Sequence, residues 1–322
     1  MIYHNKRELK AVIDDRLSSL LLPKCYVLDA PFHENAGDIL IWGGEIEFLS
    51  NKNIEVKGVY SYNTFRFNIN IDSDTFICIH GGGNFNDLYP EHLDFLQRVV
   101  DTYPHTRIIV FPQTIYFKDS IIAKARFERL KQHDNLYICG RDGRSYQLLK
   151  KYFVEERSLL VPDMAFYIPD SQLQKYSKPD KKGRLLIERV DVEATAKNGI
   201  FVRDGFDEVS DWPSFQHSFT KASFVAKVLN NLYQKLPFAA FRTILNVIWN
   251  AYYPIHCRLM TKEGVRFISP YSIIYTTRLH GAILSILLGK DVVIYDSSYG
   301  KNYEFYQTWL KDFPNVSFVS NK

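Results

Sequence analysis

The junction of an apolar strand and an apolar helix in the second half of the chain carries two residues suited to anion binding and proton transfer. The stretch is YTTRLHG (275–281), so Arg278 and His280 stand where the predicted strand ends. A buried guanidinium is costly unless it is paired or binds an anion. The N–H groups that begin the next helix favour phosphate or carboxylate, and Gly281 leaves room for one. The structural alternative is that Arg278 braces a carboxylate and His280 is a satisfied core histidine.

The first half of the chain has polar residues at five places where a predicted strand ends. These are Asn35 and Asp38 after the first strand, Gly82, Gly83 and Asn84 after the third, Gln113 after the fourth, Arg141 and Asp142 after the fifth, and Asp163 after the sixth. Strand ends of a parallel sheet lie along one edge, where ligands bind. The glycines let backbone N–H groups approach an anion. Simpler roles stay open, namely a tight turn, helix caps and loop braces.

The elements that must position these residues alternate along the chain. Short apolar runs predict strands at 25–30, 54–60, 75–80, 107–111, 136–140 and 159–162. Helical patterns lie between them, at 36–50, 90–101, 119–132 and 143–153. Buried strands that alternate with helices are typical of a doubly wound parallel sheet.

A polar, charged stretch at 170–183 has the composition of a linker, and a second series of strands follows it. Its runs lie at 184–188, 265–268, 272–276, 291–296 and 316–320. We therefore predict an α/β protein with two Rossmann-like, doubly wound domains that face a cleft, at residues 1–170 and 171–322. The last helix could pack back on the first domain.

Composition excludes several classes of protein. The chain has 322 residues and a formal net charge of +4, which is too mild for a dedicated nucleic-acid binder. Its four cysteines have no CxxC spacing, so we expect free thiols and a cytoplasmic location. Apolar runs fall short of the roughly 18 residues that a membrane span needs. Peripheral contact at the inner face of the cytoplasmic membrane stays open, and the oligomeric state is not predicted.

Taken in order, these motifs resemble the polysaccharide pyruvyltransferase family. They are NAGD (35–38), GGG (81–83), PQ (112–113), RD (141–142), PD (162–163), RLHG (278–281), GK (289–290) and YGK (299–301). The stretch ERVDVE (188–193) is similar to an Arg-x-Asp-x-Glu at a strand end of many members. Residues 196–265 depart most from the family pattern.

The resemblance implies a fold similar to the two-domain GT-B glycosyltransferases, with phosphoenolpyruvate as the donor. It implies transfer of pyruvate onto two hydroxyls of a sugar, as a cyclic ketal, in surface or exopolysaccharide biosynthesis. The N-terminal domain would bind the acceptor, which could be lipid-linked, and the C-terminal domain would bind the donor. Arg278 and His280 would hold the donor, with Arg141 as a helper.

The residues at the predicted strand ends can be assigned to roles in this reaction. Arg278, Arg189, Arg141 and Lys301 are cations for the donor carboxylate and phosphate, beside the backbone of Gly82 and Gly83. His280 is the predicted general acid. Asp38, Asp191 or Glu193 could be the base, and the predicted acceptor contacts are Asn35, Asp38, Asn84 and Gln113. No metal or cofactor is predicted, because no set of side chains has ligand spacing.

Two other functions stay open at this point. One is a GT-B glycosyltransferase that uses a nucleotide sugar, although the late loop after Asp296 has no evident partner for a ribose. The other is a non-catalytic module that binds a carbohydrate or a nucleotide. Such a module would not need arginine, histidine and carboxylate residues converging from both halves.

The predicted helix at 237–252 has Arg242, Asn246 and Asn250 at every fourth position. One face is therefore polar and the remainder is apolar. Burial in the second domain is the favoured placement, and the alternative is a helix that lies on a membrane.

Overall fold

Two parallel β-sheets with helices packed around them form the framework of the chain. A computed structural model describes residues 2–32, 35–179, 182–189, 205–212, 228–229, 231–232, 239–296 and 300–320. Within these residues every strand pairing is parallel. The predicted α/β class with parallel sheets is confirmed.

The larger sheet has seven strands in the order β2-β1-β3-β5-β6-β7, with β4 paired beside the end of β5. Its strands are β1 (Lys24–Leu28), β2 (Glu55–Tyr60), β3 (Thr75–Ile79), β4 (Gly82–Asn86), β5 (Ile108–Tyr116), β6 (Leu136–Gly140) and β7 (Ser158–Leu160). The central strand β3 is buried along its whole length, as a strand with helices on both faces must be.

The smaller sheet has five strands in the order β12-β11-β10-β8-β9. They are β8 (Gly183–Ile187), β9 (Glu208–Ser210), β10 (Tyr271–Thr276), β11 (Asp291–Tyr295) and β12 (Val316–Val319). Four of these strands, β8, β10, β11 and β12, lie where the sequence predicted strands, whereas β9 was not predicted.

Nine α-helices of the described residues cover the two sheets. They are α1 (Lys6–Leu17), α2 (Ala36–Asn51), α3 (Pro90–Thr102), α4 (Ser120–Leu130), α5 (Gly143–Tyr152), α6 (Asp170–Gln174), α7 (Ala239–Ile268), α8 (Leu279–Leu287) and α9 (Lys301–Phe305). A π-helical turn (Tyr306–Leu310) extends α9, and a 3-10 turn (Met164–Tyr167) follows β7.

One predicted strand is wrong. The run at 265–268 is the last part of α7, a single helix from Ala239 to Ile268 that also includes most of the predicted helix at 237–252. A four-residue apolar run fits a buried strand and a buried helix turn equally well, so periodicity cannot separate them. Val265 and Ile268 lie three residues apart and are both fully buried, as one helix face requires.

The strand order reverses once in each sheet, and these reversals position the predicted site. In the larger sheet β2 and β3 lie on opposite sides of β1, and in the smaller sheet β9 and β10 lie on opposite sides of β8. Ligands of open α/β sheets bind in the crevice at such a reversal, beyond the carboxyl ends of the strands. The carboxyl ends of β1, β3, β8 and β10 lie at these reversals. They are followed along the chain by Asn35, the glycines at 81–83, Arg189 and Arg278, respectively.

Helix α2 is the element through which the two sheets share a core. It packs against the 3-10 turn after β7 and against α7 and α8, which belong to the second half of the chain. Apolar side chains therefore cover almost all of its circumference, and Ile39, Trp42 and Phe48 are buried. One cluster of buried side chains runs from α1 and α2 to β8 and β10.

Candidate functional site

A buried carboxylate, Asp163, joins side chains from the two sheets. Its Oδ2 lies 2.7 Å from Nη1 of Arg141 and 3.2 Å from Nε2 of His280. Arg141 follows β6 of the larger sheet, whereas His280 lies in the first turn of α8, after β10 of the smaller sheet. Two residues predicted to bind the donor therefore share one oxygen atom of a third residue.

The charges of this group are held in a dry environment. Asp163 is fully buried and Arg141 is 2% exposed, and Nε of Arg141 also donates to Oγ1 of Thr114 at 2.8 Å. Burial alone would raise the pKa of the Asp163 carboxyl. The neighbouring His280 and Arg141 and the N–H of Ala165 outweigh it, so that this pKa lies well below its usual range. Asp163 is therefore an anion wherever the protein is folded near neutral pH.

The other ring nitrogen of His280 faces the first turn of α2. A Cβ built on Gly37 would lie 2.5 Å from Nδ1 of His280, which is closer than real Cβ contacts come, so a larger residue there would displace the His280 ring. The side chain of His280 is 13% exposed. Nε2 is thus held by Asp163, and Nδ1 lies against the backbone at Gly37.

The start of α2 has the predicted capping geometry. Oδ1 of Asn35 accepts from the N–H of Gly37 at 2.9 Å, and Nδ2 of Asn35 donates to Oδ2 of Asp38 at 2.8 Å. An acidic residue in a first turn also complements the helix dipole. The cap holds the Asp38 carboxylate beside the glycine run, since a Cβ on Gly82 would lie 3.8 Å from Oδ1 of Asp38.

The glycine run is part of a short strand. Gly82 begins β4, which pairs with β5, and its φ of 133° is a conformation that residues with a side chain rarely adopt. A Cβ on Gly83 would lie 3.7 Å from Nη2 of Arg141. The structure thus brings together five predicted site residues, which are Asp38, Gly82, Gly83, Arg141 and His280.

A buried histidine–glutamate pair lies behind the glycine run. Nδ1 of His80 is 2.8 Å from Oε2 of Glu45, and Oε1 of Glu45 accepts from the N–H of Gly81 at 2.7 Å. Burial lowers the pKa of His80, but the Glu45 carboxylate outweighs it and raises this pKa. Burial raises the pKa of Glu45. Nε2 of His80 is buried with no hydrogen-bond partner, and the predicted acceptor residue Gln113 donates to the His80 carbonyl at 2.7 Å.

Arg278 is paired with a carboxylate, as expected if its role is to brace the structure. Its Nε and Nη2 both donate to the carboxylate of Asp211, the residue after β9, with 2.6 Å between Nη2 and Oδ2. Both residues are buried. A planar guanidinium can form two parallel hydrogen bonds to one carboxylate, whereas a lysine cannot. Donor binding by Arg278 stays a prediction.

The other two predicted cations lie at the carboxyl end of the smaller sheet and at the start of α9. The backbone N–H of Arg189 donates to Oγ1 of Thr277 at 2.8 Å, which ties the end of β8 to the end of β10. Lys301 begins α9 and lines a small pocket with Arg144 and Glu304. This pocket also contains Thr114 and Asp142 from the first half of the chain, so it lies close to the Arg141 group.

The last predicted acceptor residue, Asn84, lines a second small pocket together with Gln113. Asp29 and His92 form part of its wall, with Nδ1 of His92 at 2.8 and 2.9 Å from the two carboxylate oxygens of Asp29. Asp29 has a φ of 61°, which is uncommon for a residue with a side chain and is frequent at functional sites. The two candidate bases Asp191 and Glu193 lie outside the described residues.

Sequence reasoning missed Glu45, Asp211 and the pair of Asp29 and His92. The signal for Glu45 was a charged residue seven positions after Asp38, on the same face of a mostly apolar helix. Asp211 gave no such signal, because it lies in the segment that departs most from the family pattern. The pairing of Asp29 with His92 spans 63 residues and requires the tertiary fold.

The family model described as polysaccharide pyruvyl transferase matches residues 35–299, which include Arg141, Asp163 and His280. The chain is 32% identical over 320 residues to EpsO of Bacillus subtilis (strain 168), covering 96% of this chain and 94% of that protein. It is 26% identical over 299 residues to pyruvyl transferase 1 of Schizosaccharomyces pombe, covering 90% of this chain and 70% of that one.

A solved structure has a similar fold. It is an uncharacterised protein of Klebsiella pneumoniae, with a TM-score of 0.64 at 23% identity. The match covers 97% of this chain and 98% of that protein. The whole described framework of two parallel sheets therefore has a counterpart in an experimentally determined fold.

Proposed function

We propose a specific reaction from the premise that this chain belongs to the polysaccharide pyruvyl transferase family. It is a transferase enzyme, and its family acts in the pyruvylation of polysaccharides. The proposal is that it transfers pyruvate from phosphoenolpyruvate onto two hydroxyls of one sugar, as a cyclic ketal, in surface or exopolysaccharide biosynthesis.

The reaction requires one proton to be added at carbon and one phosphate to leave. Protonation of the methylene carbon of phosphoenolpyruvate makes C2 electrophilic, and the first sugar hydroxyl adds to C2. The second hydroxyl then displaces phosphate from C2 and closes the ring. The two hydroxyls release two protons. One replaces the proton added at carbon, and the other leaves with phosphate. The enzyme must therefore supply an acid, a base and cations for the carboxylate and the phosphate.

The observation that carries the proposal is the Asp163 oxygen shared by Arg141 and His280. Asp163 fixes the ring of His280 through Nε2, which leaves Nδ1 as the proton donor to the methylene carbon. A histidine suits that step because its ordinary pKa lies near neutrality. We assign Arg141 to the donor anion, since its Nη2 is directed toward Gly83 and Asp163 holds its plane.

The proposed arrangement of the substrates follows the two sheets. We propose a GT-B-like cleft between two Rossmann-like domains, with the donor on the side of Arg278, Arg189, Lys301 and His280. The acceptor would lie on the side of Asn35, Asp38, Asn84 and Gln113. Asp38 is the proposed base, because its carboxylate lies beside the glycine run while the Asn35 amide holds it in place.

No cofactor is needed for this scheme, in which phosphoenolpyruvate is a substrate. We propose a cytoplasmic reaction, supported by four free, buried cysteines. Among the described residues, no helix combines the length and the apolar character needed to cross a membrane.

The test is incubation of the purified protein with phosphoenolpyruvate and hexosides that have free 4- and 6-hydroxyls. We expect phosphate release that depends on the acceptor, with a product heavier by one pyruvic acid less one water in mass spectrometry. The variant His280→Asn should lose this release while its circular dichroism spectrum shows that the fold is retained. Stabilisation by a nucleotide sugar, with no response to phosphoenolpyruvate, would instead indicate a glycosyltransferase or a binding module.

A further inference from the structure

Helix α7 exposes a row of large aliphatic side chains. Ile244, Val247, Ile248 and Ile255 are 57%, 66%, 45% and 50% exposed. Val247 and Ile248 lie three and four residues after Ile244, and Ile255 lies seven residues after Ile248. This spacing places all four on one face of the helix. We refer to these four residues as the α7 stripe.

The opposite face of the same helix anchors it to the protein. Trp249 and Tyr253 are buried, and their rings lie 4.6 and 4.7 Å from the ring of Phe32. The hydroxyl of Tyr253 donates to the carbonyl of Pro31 at 3.1 Å. The α7 stripe is therefore the outer face of a helix that is held firmly from behind.

Exposed apolar residues are concentrated in this part of the molecule. Twelve large hydrophobic side chains are exposed in the described part of the chain, and six of them lie between residues 228 and 255. Single exposed aliphatic residues are common on protein surfaces, but a contiguous row marks a surface that binds something.

The charge of the surrounding sequence favours an anionic partner. Residues 213–268 include seven lysines and arginines and one acidic residue, whereas the remaining chain has a net charge of −2. Arg258, Lys262 and Arg266 continue the line of the α7 stripe at intervals of three and four residues. Arg258 and Arg266 are exposed. One helix face thus presents aliphatic side chains followed by basic ones.

We propose that the α7 stripe docks on the surface of an anionic lipid bilayer. The aliphatic side chains enter the boundary between headgroups and acyl chains, and the three basic residues contact lipid phosphates. A second protein copy would cover the apolar row but would meet the same basic residues again around a two-fold axis, which costs electrostatic energy. The helix lies in the plane of the bilayer surface and does not cross it.

This surface has a consequence for the acceptor, and that consequence rests on the proposed function. The buried face of α7 packs against residues 31 and 32, three residues before the helix cap at Asn35. The α7 stripe is therefore about one helix diameter, roughly 10 Å, from Pro31 and Phe32, which precede Asn35 and Asp38 by a few residues. A sugar attached to a membrane lipid would be presented next to the acceptor side.

The experiment is co-sedimentation of the full-length protein with vesicles of phosphatidylglycerol and phosphatidylcholine. Val247→Asp places a charge in the centre of the α7 stripe and should weaken binding at least about tenfold. Ile121→Asp is the matched control, because Ile121 is 77% exposed on α4, outside the stripe, and its substitution should change nothing. Arg258→Glu and an increase to about 1 M salt should both weaken binding, and vesicles of phosphatidylcholine alone should bind less protein.

Three results would overturn the proposal. One is a wild-type protein that does not sediment with anionic vesicles, and another is equal binding by the Val247→Asp and Ile121→Asp variants. The third is a wild-type dimer in light scattering that Val247→Asp converts to a monomer, with no vesicle binding by either protein. None of these measurements uses phosphoenolpyruvate. Failure of the proposed reaction would therefore not change the membrane result, and failure of membrane binding would not change the result for the reaction.

Discussion

At the scale of single residues, the site depends on carboxylates that each bind two polar groups. Asp163 binds Arg141 and His280 through one oxygen, Glu45 binds His80 and Gly81, and Asp211 takes two N–H groups of Arg278. A buried charge that loses its partner is strongly destabilising, so each carboxylate fixes the side chains around it. Rigid placement of this kind is what positions an acid and an anion-binding group for catalysis.

Asp163→Asn keeps the shape of the side chain and removes its charge. We expect a loss of about 3 kcal/mol in the free energy of unfolding at pH 7, because Arg141 stays buried without its counter-ion. Folding lowers the pKa of Asp163, so its stabilisation is present above about pH 4 and is lost as the pH falls through the folded-state pKa. The difference between variant and wild type should therefore shrink in urea denaturation at pH 3.

The control for this prediction is Asp101→Asn, since Asp101 is 53% exposed and pairs with Arg129 at the surface. Its effect should stay below about 1 kcal/mol at every pH. Equal stability of the Asp163→Asn variant and the wild type at pH 7 would show that the Asp163 carboxylate does not hold Arg141.

At the scale of elements, α2 connects the fold to the chemistry. Its first turn meets His280, its middle contributes Glu45, and its flanks pack against α7, α8 and the 3-10 turn after β7. Gly37 and Gly44, two turns apart in the helix, allow two of these approaches, since a Cβ on Gly44 would lie 1.7 Å from the Met164 carbonyl oxygen. A helix that must contact backbone and ring atoms this closely needs glycine despite its low helix propensity.

Gly37→Ala should inactivate the enzyme without unfolding it. The added methyl group would lie 2.5 Å from Nδ1 of His280, and the imidazole ring is the end of a side chain that can rotate away. We expect acceptor-dependent phosphate release to fall at least about 100-fold, because the proton donor is displaced.

Gly43→Ala in the same helix is the matched variant, with its methyl group 3.5 Å from Cδ1 of Ile168, an ordinary contact. It should keep wild-type turnover and gain up to about 1 kcal/mol in stability, since alanine favours helix. Turnover and melting temperature should be measured for both variants. Normal activity of Gly37→Ala would exclude His280 as the proton donor.

At the scale of the whole molecule, the end of the chain returns to the first sheet. Nε1 of Trp309 donates to the Arg141 carbonyl at 2.7 Å, and the N–H of Gly143 donates to Oγ1 of Thr308 at 2.9 Å. Both bonds hold the loop between β6 and α5, which contains Arg141. The last helix therefore stabilises a part of the site that lies 168 residues earlier in the sequence.

Trp309→Phe should destabilise the protein more than Trp249→Phe. Both rings are buried, but Nε1 of Trp309 bonds to Arg141 whereas Nε1 of Trp249 has no hydrogen-bond partner among the residues that the structure describes. The first variant leaves a buried carbonyl unpaired, which costs about 1–3 kcal/mol, and the second removes an N–H that is already unpaired. Guanidinium unfolding followed by circular dichroism measures both. Equal losses would mean that the Trp309 bond contributes nothing to stability.

The sequence by itself determined the class of the protein and most of its elements. Apolar runs that alternate with helical patterns indicate buried parallel strands, and the polar residues after those runs indicate where along the chain the candidate site lies. The helix caps at Asn35 and Asp142 were also predictable, because a capping side chain bonds to backbone two or three residues away. The order of the motifs identified the family.

Only the tertiary structure decided which charges meet. Asp163 with His280, and Arg278 with Asp211, are pairs separated by 117 and 67 residues. Local patterning cannot specify such partners, because they depend on how the two sheets are positioned. The same holds for α7, whose end at 265–268 has the apolar run of a strand. Burial against α2 and α8 made it helical, because the side chains that recur at helical spacing could then be buried together.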